Sequence, residues 1–296
     1  MKNTFLLFWV FFFIFYAFPT TAQVIIQQDS SYIFDMKDGN TYIGKVNILE
    51  ETQSYEVTTE IGIVKLKQID IIKVKKLTST DIVKGTYWQP NPHSSRYFFS
   101  PSGYGLKKGE GYYQNAWIFL NQVSYGFSDN FTLGVGIVPI FLFGADIFPV
   151  WITPKLNFDY KNGKGAYGVG SIYFTVLGEN DIGGVGILYG SNTFGTRDKQ
   201  FTIGLGFGYS SDEGINTSPV LNLGGLYRTG KKWAFVSEMY FFGGLGEFSG
   251  IISAGMRYMG KKIAIDMAGF RPLVSDLGGA LMFPWLSISV PFSQSY

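Results

Sequence analysis

Residues 201–209, FTIGLGFGY, place a large apolar side chain at every odd position and Thr or Gly at every even one. A period of two belongs to an extended strand with two unlike faces, because a helix would scatter the same residues around its whole circumference. A near copy, FTLGVGI, stands at 131–137, and LSISVPF at 286–292 repeats the scheme with Ser in the small positions. The unlikeness of the two faces is the constraint. A soluble sheet turns charged or Thr-rich residues to water, whereas here the face opposite the apolar one is nearly bare. The outer face therefore meets an apolar solvent, and the inner face is crowded.

Composition agrees with a membrane solvent. Charged residues make up 16% of the 296-residue chain, against about 25% in soluble domains. Aromatics reach 18% and 38 residues are Gly, the mixture that suits strands whose outer face meets lipid and whose inner face is crowded. A net charge of +2 gives neither a nucleic-acid footprint nor a call for an acidic partner. With no cysteine there is no disulfide framework, thiolate metal site or lipid-modified Cys. No cofactor is expected.

The N-terminus reads as an export signal over residues 1–22: Lys2, an apolar run over 5–18, then small residues before Gln23. That run, about 14 residues, is short of the roughly 20 a spanning helix needs. No later segment is uninterrupted enough to span as a helix, which leaves a secreted chain, a periplasmic one or a β-barrel.

Residues 23–76 differ in composition, with Lys45, Lys65, Lys67, Lys73, Lys75 and Lys76 set among Ile and Val. Asp38-Gly39 is a hairpin signal, and the pattern predicts strands at 32–36, 41–49, 55–59, 63–67 and 71–76. Val64, Leu66, Ile72 and Val74 are assigned to the buried face and the intervening lysines to the solvated one. Five short strands in this order resemble SH3-like or Sm-like small barrels. The expected role is periplasmic docking to a protein or cell-wall partner; the lysines alternate with core residues as a solvated face does, so no nucleic acid is expected. Residues 77–93, with Pro90 and Pro92, read as a linker carrying the chain's single His, His93.

In residues 94–296, tight-turn clusters at 126–130, 161–165, 196–199, 229–232 and 259–262 alternate with longer connections at 141–147, 177–183, 210–218, 242–248 and 271–279. Short turns at one end and long loops at the other describe an up-and-down barrel. Eleven staves follow: 111–125, 131–140, 148–160, 166–176, 184–195, 200–209, 219–228, 233–241, 249–258, 263–270 and 280–292. Single-chain bacterial barrels are even-numbered, so a twelfth is placed at 94–100; ten is the alternative. Alternation directs Phe201, Ile203, Leu205, Phe207, Leu286, Ile288, Val290 and Phe292 to lipid. It directs Lys155, Asn157, Arg228, Glu238, Arg257 and Asp266 to the lumen. Trp151, Trp233, Trp285, Tyr125, Tyr209 and Tyr258, at strand ends, are assigned to an aromatic girdle.

The chain resembles a family of uncharacterised outer-membrane barrel proteins of Gram-negative bacteria that carry a small strand module in front. The residues that carry this are NPHSSRYFFSP at 91–101, KKGEGYYQN at 107–115 and the turn at 125–130. The resemblance implies a place, the bacterial outer membrane with the N-terminal module in the periplasm, and no activity. The last strand, 286–292, looks like the aromatic-ended signal read by the barrel assembly machinery.

Two functions stay open at this point: a pore or transport channel for small solutes, and a sealed barrel that anchors residues 23–76. The lumen charges fit both, as selectivity groups or as ion pairs filling the interior. A rim lipid-modifying enzyme is the third reading, but one His at a domain boundary makes no triad, and no enzyme is expected. Glu179 with Asp181, or Asp212 with Glu213, are ordinary loop charge more readily than a Ca2+ site.

Overall fold

The computed structural model describes residues 25–49, 53–77, 82–83, 86–142, 147–178, 182–243, 249–260, 263–273 and 282–292. The export signal, Glu179, Asp181 and the last four residues lie outside them. The chain divides between Tyr87 and Trp88 into two compact units. Among the described residues no helix is long and apolar enough to cross a membrane.

The first unit is an antiparallel sheet of β1 (Ser31–Met36), β2 (Thr41–Leu49), β3 (Ser54–Thr59), β4 (Gly62–Lys67) and β5 (Ile71–Lys76), in the order β4-β3-β2-β1-β5. Asp38-Gly39 makes the first turn: Gly39 takes φ +85° and the Asp38 carboxylate accepts the Asn40 N–H at 2.9 Å. Tyr32, Phe34, Met36, Val46, Val57 and Leu66 form the core. Ile72 departs from the expected face and is 64% exposed. The register between β1 and β5 slips there, since Asp35 pairs with Lys73 and Met36 with Ile71. Ile72 is the unpaired residue of a bulge, and Ile71 and Val74 pack inward in its place. A two-residue pair, β6 (Ile82–Val83) and β7 (Thr86–Tyr87), ends the unit.

The second unit is a closed antiparallel barrel of twelve strands. They are β8 (Gly111–Ala116), β9 (Leu120–Ser128), β10 (Phe131–Ile137), β11 (Ile147–Asp159), β12 (Gly165–Gly178), β13 (Ile182–Thr196), β14 (Lys199–Ser210), β15 (Gly214–Arg228), β16 (Trp233–Phe242), β17 (Ser249–Met259), β18 (Ala264–Leu273) and β19 (Phe283–Phe292). Each pairs with its sequence neighbours, and β19 closes on β8 with Phe292 opposite Gly111 and Ser287 opposite Ala116.

Twelve is the expected number, reached by a different route. The expected stave at 94–100 is not in the wall. Apart from an isolated bridge between Arg96 and Pro101, this stretch is irregular, and it lies inside the barrel. The missing strand comes instead from 111–125, expected as one stave and folded as the β8–β9 hairpin. Its reversal uses Trp117 at φ 51° and Ile118 at φ 68°, a left-handed conformation that bulky residues rarely take. The 210–218 connection is also shorter than expected, since β15 begins at Gly214.

The outer wall is apolar. On β14, Phe201, Ile203, Leu205 and Phe207 are exposed while Gln200, Thr202, Gly204 and Gly206 are buried. Leu286, Ile288, Val290 and Phe292 are likewise exposed on β19. Two of the expected girdle aromatics face the other way. Trp151 donates from Nε1 to Gln122 Oε1 at 2.8 Å, and Trp285 packs on Phe98 in the interior. Strand-end position alone does not decide the face; parity does, and Trp151 shares that of buried Thr153 and Lys155.

Candidate functional site: a lumen filled by residues 88–110

The chain enters the barrel at the short-turn end. Trp88 lies under the Arg228 guanidinium, 4.9 Å from its ring centre, and Gln89 donates to the Met259 carbonyl at 2.7 Å. It rises to mid-height, reverses at 98–101, and returns to the short turns, where Lys108 N–H bonds to Asp129 at 3.0 Å. This re-entrant segment fills the space a pore would need.

The lumen charges expected from alternation all meet it. Arg257 is fully buried. Its Nε and Nη2 hold Asp266 at 2.6 and 3.1 Å, and its remaining N–H groups reach the carbonyls of His93 and Tyr97, both at 2.7 Å, and Arg96 at 3.3 Å. Ser287 adds a bond to Asp266 at 3.1 Å. Glu238 accepts the consecutive N–H groups of Phe98, Phe99 and Ser100 at 3.1, 3.1 and 2.9 Å, as an anion sits in a nest of backbone donors. Lys155 donates to the carbonyls of Ser95 at 3.3 Å, Ser102 at 2.5 Å and Tyr104. Arg228 bridges both Asp198 oxygens at 3.0 Å and bonds the Gln89 carbonyl at 2.8 Å. Asn157 donates to the Asp129 carbonyl at 3.0 Å, at the segment's exit.

Neutral groups complete the fit. Tyr97 bonds Thr202 at 2.6 Å, Ser100 bonds Asn222 at 2.5 Å, and Gly103 N–H bonds Thr193 at 2.6 Å. The glycines explain the close approach. A Cβ on Gly103 would strike the Ala166 carbonyl, and one on Gly105 the Asn157 amide. From the wall, a Cβ on Gly224 would strike the Tyr97 ring. The bare inner faces of the wall are therefore seats for the segment. The SGYG run at 102–105 was the available sequence signal for such an approach.

His93 lies in this segment and is fully buried, against Tyr112 in a T-shaped contact with ring centres 4.6 Å apart. Neither ring nitrogen has a hydrogen-bond partner among the described residues. Asp266 Oδ2 is 4.0 Å from Nδ1, but that carboxylate is engaged by Arg257 and Ser287. Burial, followed by the charges of Arg257 and Arg96, holds the imidazole well below its usual pKa. With no hydroxyl bonded to it, this His is set up for packing and not for nucleophile activation. Asp212 and Glu213 are exposed at the β14–β15 turn, and no group of three metal-ligating side chains occurs among the described residues.

No protein-family model matches the chain, and no curated protein matches it. Among solved structures it is similar to the outer-membrane expressed OmpT of Vibrio cholerae, at 11% identity and a TM-score of 0.34, over 91% of this chain and 100% of that one.

Proposed function

We propose that the chain is a bacterial outer-membrane barrel, closed along its axis by its own residues 88–110, that anchors the module of residues 23–76 in the periplasm. One observation carries this over the solute pore. The buried charges are aimed at the backbone of the entering segment: Glu238 at three N–H groups, Lys155 at three carbonyls, Arg257 at three more. Groups placed to select ions would face a water path, and groups tied to the protein's own backbone hold a fixed plug.

The apolar outer wall supports a membrane location, and the strand order β4-β3-β2-β1-β5 supports the SH3/Sm-like reading of the module, which would dock a periplasmic protein or the cell wall. The closing strand β19 would present the assembly signal. Planar bilayers test the proposal. Purified protein that migrates as a folded, heat-modifiable barrel should give no stepwise conductance, and regular conductance steps from the unaltered protein would restore the pore.

A further inference from the structure

The outer wall is apolar but not smooth. Pairing across β14, β15 and β16 sets Phe201, Gly225 and Ser237 in one outward-facing row. The next outward rows carry Ile203, Leu223 and Met239 on the side away from the short turns, and Lys199, Tyr227 and Phe235 on the side towards them. Two small residues among large ones leave a groove of about 360 Å3, in which Phe194, Phe201, Tyr227 and Phe235 surround Gly225 and Ser237 and Lys199 stands at the edge. Ligand clefts run from about 300 to 1,000 Å3.

The backbone does not ask for this groove. Gly224 has its reason inside the barrel, against the Tyr97 ring, but a Cβ on Gly225 would meet only the Gln200 carbonyl, at 4.0 Å. Gly225 is also absent from the positive-φ glycines, so a larger residue would fit there without strain. The Ser237 hydroxyl donates to the Ser253 carbonyl at 2.8 Å. It therefore needs no water, and the floor of the groove can lie against hydrocarbon.

One end of the groove is basic. The Lys199 ammonium lies 4.5 Å from the centre of the Tyr227 ring and 3.3 Å from its hydroxyl. Lys231 and Lys232 are exposed in the adjoining short turn. The two turns are tied together, because Arg228 holds Asp198 and also donates to the Lys231 carbonyl at 2.6 Å. That bond takes up the acid of the first turn, and Lys199, Lys231 and Lys232 make no ion pair among the described residues. Gly225 is two residues from Tyr227, about 7 Å along the strand, so a chain seated in the groove would have its head among these lysines.

We infer that the groove holds one acyl chain of an anionic glycerophospholipid from the leaflet at the short-turn end, with its phosphate at Lys199 and the 229–232 turn. The apolar floor suits the chain, and the unpaired lysines suit the head. A second copy of the barrel docked here about a two-fold axis would bring the same lysines towards their own images, which favours the lipid.

The inference rests on the barrel spanning a membrane, and the test separates the two. The chain has no cysteine, so Ile152→Cys on β11, away from the groove, carries a single nitroxide in the full-length protein in phosphatidylcholine vesicles. It should be accessible to oxygen and shielded from a water-soluble nickel chelate; nickel access would overturn the membrane reading itself. Phosphatidylglycerol or phosphatidylcholine is then titrated into the detergent-solubilised protein and counted by native mass spectrometry. One phosphatidylglycerol should bind per chain ahead of any further lipid, and more tightly than phosphatidylcholine. Lys199→Gln should weaken it about fivefold, the worth of one lysine at an anionic lipid surface, and Lys199→Arg should restore it. Gly225→Leu, which fills the groove, should abolish the one-to-one adduct while the protein stays heat-modifiable. A shielded Ile152 label together with unchanged phosphatidylglycerol binding by folded Gly225→Leu or Lys199→Gln, or with phosphatidylcholine bound as tightly, would overturn the lipid site alone. A dimer of the unaltered protein that is lost in Gly225→Leu would give the groove to a second copy instead.

Discussion

The two units of this chain are the same construction turned inside out. Both are antiparallel sheets laid down in chain order with alternating side chains. In the module the inside is Tyr32, Phe34, Val46, Val57 and Leu66, and lysines line the outside. In the barrel the inside is Lys155, Arg228, Glu238, Arg257 and Asp266, and the outside is Phe, Ile and Leu. Strand geometry is indifferent to which face is apolar; the solvent decides. What differs is how each interior is held. An apolar core coheres through non-directional burial, whereas a polar one must be satisfied group by group. That requirement explains why the barrel needs a segment of backbone inside it and the module does not.

The sharpest way to break the comparison is to remove one directed group from the polar interior. Arg257→Ala leaves Asp266 buried and three carbonyls without donors, and a broken buried pair costs about 3–5 kcal/mol. The expected result is a barrel whose heat-modifiable band is lost at a clearly lower temperature, with the plug loosened enough to give intermittent conductance in planar bilayers. Arg257→Ala with unchanged thermal behaviour would mean that the interior is held without its charges. In the other unit, Phe34→Ala should cost about 3 kcal/mol or slightly more, read by urea unfolding of the module, while the barrel's heat-modifiability stays where it was.

A substitution on the outer faces tests the solvents directly. Ile203 on β14 and Ile63 on β4 are both exposed isoleucines. Ile203→Lys at mid-height should cost about 2–4 kcal/mol in the bilayer, and Ile63→Lys on a water-facing strand should fall within about 0.5 kcal/mol of zero. Equal effects would collapse the distinction.

His93 gives a smaller, pH-dependent change. Its pKa is lowered in the folded state by burial, so the neutral form is favoured there. The stability this contributes is present above the unfolded value of about 6.5 and is lost as pH falls through and below it. Heat-modification midpoints should therefore drop between pH 7.5 and 5, and His93→Gln should flatten the drop.

What could be read from the sequence follows the same division. Alternation is written in each strand, so the exposed and buried faces of β14 and β19 were legible, as was the Asp38-Gly39 turn. The partners of the lumen charges were not, because Glu238 and Lys155 bind backbone N–H and C=O groups, which every residue carries. The 94–100 stretch, rich in aromatics, has the propensity of a strand, and only the space inside the barrel pulls it out of the wall. The β8–β9 turn was invisible for a related reason. Trp117, Ile118 and Phe119 are poor turn residues in water, and Asn115 and Asn121, which cap the turn, flank it and do not sit in it.

The smallest effect makes the comparison most exact, because an ion pair in the module can be set against one of the same kind in the barrel. Lys45 and Asp29 in the module are 3.0 Å apart with side chains 58% and 71% exposed. Arg257 and Asp266 are 2.6 Å apart at 0% and 2%. Coulomb attraction at these separations is similar in form, and the surroundings set its worth. Water and salt screen the first pair, and flexible side chains lose entropy in holding it, so Lys45→Ala should cost about 0.2–1 kcal/mol and vanish into error at high salt. The second is shielded from salt by protein on every side, so the loss in Arg257→Ala should be the same in dilute buffer and in 1 M salt, the concentration that shortens screening to about 3 Å. Urea and thermal series of both variants at two salt concentrations measure this. A salt-sensitive Arg257 would show that water reaches the lumen, and the polar interior would then be a wet channel with a loose segment in it and no longer the counterpart of the module's dry core.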